Sequence, residues 1–203
     1  VSGTPNSADA ININAGSSTF VVENTFSSQT DIPGGATNAV IGKFTLRAYG
    51  EAVKVNSLVF TPSVTNACTT GTTYSYTSGT ANGDCTAGLG YSAGNGLQNV
   101  TLYFNGSQIG SSQNWTGGNM TFNLGNQMIV PFGQDSTLEV RADLQTSSNV
   151  AYTAGTISVT FPLASNNAEG QTSKRTTGVP TAQVQTTGLD IKSGTVEVSV
   201  NPA

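Results

Sequence analysis

Apolar residues recur at every second position in short stretches separated by Gly, Asn, Ser and Pro, the mark of half-buried strands. No stretch of ten or more residues carries the 3.6-residue period of a helix. The clearest run is Thr137 to Leu144, where Leu138, Val140, Ala142 and Leu144 alternate with Glu139, Arg141 and Asp143. One face is core and the other is wet. Phe44, Leu46 and Ala48 alternate in the same way with Lys43, Thr45 and Arg47, and a turn at Gly50 and Glu51 leads into a second run from Ala52 to Thr61. This order predicts a hairpin. Inside the second run the apolar phase slips from Val53 and Val55 to Leu58 and Phe60, which predicts a bulge at Asn56 or Ser57. Val100, Leu102 and Phe104 lead into Asn105-Gly106, a two-residue hairpin turn because both residues tolerate positive φ, and Ile109 begins the return strand.

Further short runs follow: Phe122 with Leu124, Ile129 to Phe132, Ile157, Val159 and Phe161 closed by Pro162, Leu189 with Ile191, and Val196, Val198 and Val200. Nine or more strands at this spacing predict an all-β chain, an antiparallel β-sandwich of two packed sheets, with a closed barrel as the main alternative. The N-terminal stretch differs in kind. Ile11 and Ile13 alternate with Asn, Phe20, Val21 and Val22 follow, and a Pro/Gly segment runs from Thr30 to Thr37. These strands lack an obvious local partner. They either complete the domain's own sheet or pair, as an extended arm, with an edge strand of a neighbouring molecule. The expected division is residues 1–37 as a strand-forming arm and linker, and 38–203 as the sandwich.

Composition narrows the setting. Charged residues are only 9% of the 203, while Ser and Thr make up about a quarter, a mix that suits a secreted β-protein. The net charge is -4 with acidic and basic residues scattered, so no basic stripe exists to neutralise phosphates and nucleic acid is not an expected partner. No apolar run reaches the roughly 18 to 20 residues that span a bilayer. The chain opens at Val1, as expected of a mature form whose leader has been removed. Cys68 and Cys85 bracket a segment of Thr, Ser, Gly and Tyr with almost nothing apolar to pin it. A disulfide is the expected clamp, worth roughly 3 kcal/mol in the chain-entropy model and requiring an oxidising compartment; two separate thiols are the alternative.

Candidate chemistry is sparse. There is no histidine, which removes Ser-His-Asp and Cys-His mechanisms and the usual zinc sites, and no acidic pair sits in an apolar, aromatic setting that would raise one pKa. No catalytic residue, metal or cofactor is expected. Oxygens near Asp84, Asp135 and Glu169 lack the spacing of a calcium loop. Asn-X-Ser/Thr occurs at Asn99, Asn105, Asn114 and Asn119, the glycosylation candidates, all within one hairpin region. Trp115 and the tyrosines, Tyr74 and Tyr76 among them, raise a carbohydrate-binding alternative.

The run from Asn38 to Ala48 (NAVIGKFTLRA), the run from Gly50 to Phe60 (GEAVKVNSLVF), the Val100 to Gly110 hairpin (VTLYFNGSQIG) and the strand from Asp135 to Leu144 (DSTLEVRADL) together resemble repeat modules of large secreted surface proteins of bacteria, especially of the candidate-phyla type. The resemblance covers roughly residues 36–200. It implies immunoglobulin-like sandwiches of cell-surface or S-layer-like proteins, with a structural role and no catalytic residues. The loop between the cysteines and the N-terminal arm lie outside the pattern, and the chain is one module instead of an array. Such a module with a spare strand is expected to assemble as donor-strand filaments and pili do. The expected function is therefore a structural subunit of an extracellular filament, pilus or surface layer, whose partners are copies of itself, with surface glycans as a further partner. Ile11, Ile13, Phe20, Val21 and Val22 are the candidate assembly strand and Thr195 to Val200 the second. The alternative is a carbohydrate-binding or adhesin module.

Overall fold

Strands form where the alternating side chains find an apolar layer on one face and water on the other. The computed structural model describes residues 16–69, 96–146 and 148–193. In chain order its elements are β1 (Ser17–Val22), the single helical turn α1 (Asn24–Ser27), β2 (Asp31–Pro33), β3 (Ala39–Tyr49), β4 (Val53–Val55), β5 (Ser57–Thr69), β6 (Leu97–Phe104), β7 (Ser107–Trp115), β8 (Met120–Asn123), β9 (Ile129–Val130), β10 (Asp135–Asp143), β11 (Tyr152–Phe161), β12 (Ala168–Gly170), β13 (Thr176–Thr177), β14 (Val184–Gln185) and β15 (Leu189–Lys192). Strands β1, β3, β10, β6 and β7 lie side by side in one sheet. Strands β2, β15, β11, β5 and β8 form a second, with β14 added to β11. A small third sheet runs β13, β12, β4, β9. Among the described residues every strand-to-strand pairing is antiparallel except that of β15 with β2.

The two larger sheets meet across a shared core. Leu138, Val140, Ala142 and Leu144 are fully buried, as are Phe44, Leu46 and Ala48, so the alternation of both runs has its expected meaning. The outer face of the first sheet is crossed by Lys43 with Glu139, Arg47 with Asp135, and Glu139 with Arg141. At the centre, phenylalanines from both sheets form one chain of ring contacts. Phe20 of β1 and Phe44 of β3 both touch Phe161 of β11, with centroids 5.0 and 4.9 Å away; Phe161 touches Phe60 of β5 at 5.1 Å, and Phe60 stacks on Phe122 of β8 at 5.5 Å. Such pairs add to the large area that each ring removes from water.

The Asn105-Gly106 turn forms as expected. Both residues have positive φ, 48° and 82°, and β6 and β7 pair from Phe104 with Ser107 onward. The hairpin expected around Gly50 does not form. Strand β3 pairs with β1 and β10, whereas the chain after Glu51 enters β4 of the third sheet and then β5 of the second. The phase slip at Asn56 is the junction between those sheets, not a bulge. Val53 and Val55 are buried from one sheet and Leu58 and Phe60 from the other, while the Asn56 N–H donates to the Asn167 carbonyl at 2.8 Å and its carbonyl accepts from the Leu124 N–H at 2.8 Å. A β-bulge and a change of sheet produce the same shift of alternation in sequence.

The division at residue 37 does not follow the architecture either. Phe20, Phe26 and Ile32, from β1, α1 and β2, are buried in the same core as the rest. The short helical turn carries the chain from the first sheet to the second, capped by Glu23, whose carboxylate accepts from the N–H groups of Thr25 and Phe26 and from the Thr25 hydroxyl.

Phe161 touches Phe20, Phe44 and Phe60, so Phe161→Ala is expected to cost about 3–5 kcal/mol. The check is the midpoint of denaturant unfolding; a loss below about 1 kcal/mol would contradict the central place given to this ring.

Candidate functional site

Strand β1 is the last strand of the first sheet, and its backbone geometry singles it out. The Glu23 N–H donates to the Lys43 carbonyl at 2.9 Å, continuing the register in which Val22 opposes Phe44. In an antiparallel ladder the backbone groups of alternate residues point toward the partner. Ser17, Thr19 and Val21 therefore bond β3, and the N–H and C=O groups of Ser18, Phe20 and Val22 point away from the sheet. Among the described residues no backbone hydrogen bond reaches these outward groups. The inner face of the same strand is buried, with Phe20 6% and Ser18 8% exposed, and the Ser18 hydroxyl has no hydrogen-bond partner. On the outer face Val21 is 52% exposed.

The other long edge is blunted. At β7 the Gly110 N–H donates to the Gln127 side-chain oxygen at 2.5 Å, its carbonyl accepts from the Gln108 amide, and the Gln113 amide reaches across to the Thr121 carbonyl at 3.0 Å. The second sheet ends in the short strands β2 and β8. Side-chain caps and short edge strands are how sheets avoid edge-to-edge pairing. Among the described residues strand β1 carries no such side-chain cap and runs for six residues, with the short β14 packed near it.

The entry to β1 is fixed by Glu51. Its carboxylate accepts from the Gly16 N–H at 3.1 Å, the Thr172 N–H at 2.6 Å, the Ser173 N–H at 2.9 Å and the Ser173 hydroxyl at 2.5 Å. It thereby ties the start of β1, the β3–β4 turn and the β12–β13 turn together. Glycine is required at two walls of this cradle: a Cβ on Gly16 would lie 2.8 Å from the Glu51 Cγ, and one on Gly170 would overlap the carboxylate itself. The Ser173 hydroxyl, then the N–H groups of Ser173, Thr172 and Gly16, hold the Glu51 carboxyl down at about 2. Sequence reasoning saw Glu51 only as a turn residue, because its partners lie 35 to 122 positions away and include no charged side chain to signal a pair.

The candidate assembly residues divide. Phe20, Val21 and Val22 are in β1, paired with Leu46, Thr45 and Phe44 of the same molecule, so the idea that they are donated to a neighbour is corrected: the Phe20 ring fills its own core. Ile11, Ile13 and Thr195 to Val200 lie outside the described residues. So does Cys85, and with it the expected disulfide; Cys68 lies near the end of β5, its backbone paired with Ala154. Trp115, the proposed sugar platform, is 6% exposed, and its indole N–H donates to the Gly118 carbonyl at 2.8 Å; it is a core residue. Tyr74, Tyr76 and Asp84 lie outside the described residues, while Asp135 pairs with Arg47 and Glu169 with Lys54.

All four sequon asparagines are exposed on or beside the β6–β7 hairpin. Their amides do different things. The Asn105 carbonyl oxygen accepts from the Thr137 N–H at 2.8 Å and its nitrogen donates to the Ser136 hydroxyl, pinning the hairpin tip to β10. The Asn99 nitrogen donates to Asp143 at 2.6 Å. The Asn114 oxygen accepts from the Asn99 N–H at 3.0 Å, and the Asn119 oxygen accepts from the Thr61 hydroxyl.

Compared with known proteins, the chain matches no family model, no curated protein and no solved structure.

The Glu51 clamp has a definite pH signature. Because the folded-state carboxyl titrates below its ordinary value of 4.5, its contribution is complete above that value and is lost as the pH falls toward about 2. Glu51→Gln is expected to lower the melting temperature at pH 7, and the gap between variant and wild type is expected to close between about pH 5 and 2. Melting curves across that range are the check, with amide exchange at Gly16 as the local readout; a gap of constant size would refute the assignment.

Proposed function

We propose that this chain is a non-catalytic structural subunit, an immunoglobulin-like sandwich that works outside the cell in a filament, pilus or surface layer and joins copies of itself by intermolecular β-strand addition. The observation that carries this reading is the β1 edge. Three consecutive outward positions offer both N–H and C=O groups, backed by a buried hydroxyl that lacks a partner. An added strand would satisfy the backbone groups through main-chain bonds, the general mode of β-augmentation.

In this reading β1 is the acceptor. Its Phe20 is committed to the domain's own aromatic core, so the donated strand comes from elsewhere, with Ile11 and Ile13 or Thr195 to Val200 of a second copy as the alternating segments that suit it. Gly, Ser and Thr abundance and the low charge support an extracellular setting.

Val22→Pro is the selective test. The Val22 N–H faces outward, so proline there removes a donor from the open edge and crowds an incoming strand while leaving the β1–β3 ladder bonds intact. Wild-type protein is expected to form polymers visible by electron microscopy and sedimentation, and Val22→Pro a folded monomer. Val21→Lys, a charge beside the same edge, is expected to weaken assembly in the same direction. Wild type that stays monomeric at high concentration would overturn the reading, as would polymers unaffected by either variant.

A further inference from the structure

Four asparagines stand in Asn-X-Ser/Thr tripeptides, and all four are exposed, so neither sequence nor exposure ranks them. The hydrogen bonds of their amides do. Transfer of a sugar to asparagine uses the side-chain nitrogen, which must be free of acceptors and turned to solvent. At Asn99 that nitrogen is held by the Asp143 carboxylate, and the residue sits with φ 49° where the β6–β7 register shifts. At Asn105 both ends of the amide are built into the contact with β10. At Asn119 the oxygen accepts from the Thr61 hydroxyl, a group that can accept as well as donate, so this contact does not fix which end of the amide faces outward as a backbone N–H does.

Asn114 is different. Its oxygen accepts from the Asn99 backbone N–H, a group that only donates, so the oxygen end of the planar amide is fixed inward. The nitrogen is thereby aimed outward, and among the described residues it has no hydrogen-bond partner. Thr116, the hydroxyl residue of the tripeptide, is exposed, and the adjoining Gly117 and Gly118 stand in open space. We propose that Asn114 is the N-glycan acceptor of this chain and that Asn99 and Asn105 are structural amides. The Asn114 nitrogen bonds to the anomeric carbon of a lipid-diphosphate-linked oligosaccharide. The bond from that carbon to the diphosphate oxygen breaks, the lipid diphosphate leaves with the electron pair, and the amide proton passes to a base of the transferase.

The position has a physical consequence. Asn114 lies on β7, the opposite end of the first sheet from β1, and a bulky solvated sugar there screens the one other long edge from strand pairing. The glycan assignment stands whether or not the chain polymerises.

The test incubates the folded full chain with an oligosaccharyltransferase that modifies all four tripeptides as free peptides, together with a synthetic lipid-diphosphate oligosaccharide. Intact mass is expected to rise by one oligosaccharide, and peptide mapping to locate it on Asn114. Thr116→Val, which removes the acceptor motif but keeps the Asn114 to Asn99 bond, is expected to stay bare while melting as wild type does. A folded chain that remains unmodified, or sugar found on Asn99, Asn105 or Asn119, would overturn the assignment.

Discussion

The contact between Phe161 and the rings around it is the constraint on which the rest of this molecule depends. Phe20 and Phe44 come from one sheet and Phe60, Phe122 and Phe161 from the other, so this chain of rings is what makes two separate sheets into one body. Because Phe20 belongs to it, β1 is anchored by apolar burial on its inner face as well as by hydrogen bonds to β3 on one side. That double anchoring lets β1 be the final strand of its sheet without peeling away. It also fixes which backbone groups are left facing outward.

A sheet that does not close must end somewhere, and the two ends of this one are treated differently. At the β7 end glutamine side chains occupy both backbone groups of Gly110 and one reaches across to β8, whereas the outward backbone groups of β1 have no such caps among the described residues and its entry is locked by a carboxylate. The Glu51 clamp is electrostatically economical: one anion satisfies four donors from one distant turn and a strand start, and needs no cation. Rigid presentation of an open edge is what strand addition requires, since an acceptor that had to be ordered first would add that entropy to the cost of binding.

The N-glycan assignment and the assembly reading rest on the same principle applied to different atoms. In both, function is sought where a polar group has been positioned but not satisfied: the outward backbone of Ser18, Phe20 and Val22, and the outward nitrogen of Asn114. Trp115 illustrates the converse. It looked like a binding residue as long as its surroundings were unknown, but its indole N–H is satisfied within the turn and its ring is buried.

What the sequence determined by itself was everything local. Period-two alternation identified the Phe44 to Ala48 and Leu138 to Leu144 strands and which side chains they bury, and Asn105-Gly106 announced its turn, because these depend on backbone geometry within a few residues. Partner choice was decided only in three dimensions. Alternation says that a strand has a core face but not which strand lies beside it, so the β3–β4 hairpin, the bulge at Asn56 and a detached arm through Val22 were all compatible with the sequence and all replaced by long-range pairing. The Glu51 cradle and the different duties of four identical asparagine amides were beyond reach for the same reason. A hydrogen bond to a backbone group leaves no complementary side chain in the sequence, and only the folded chain brings donor and acceptor together.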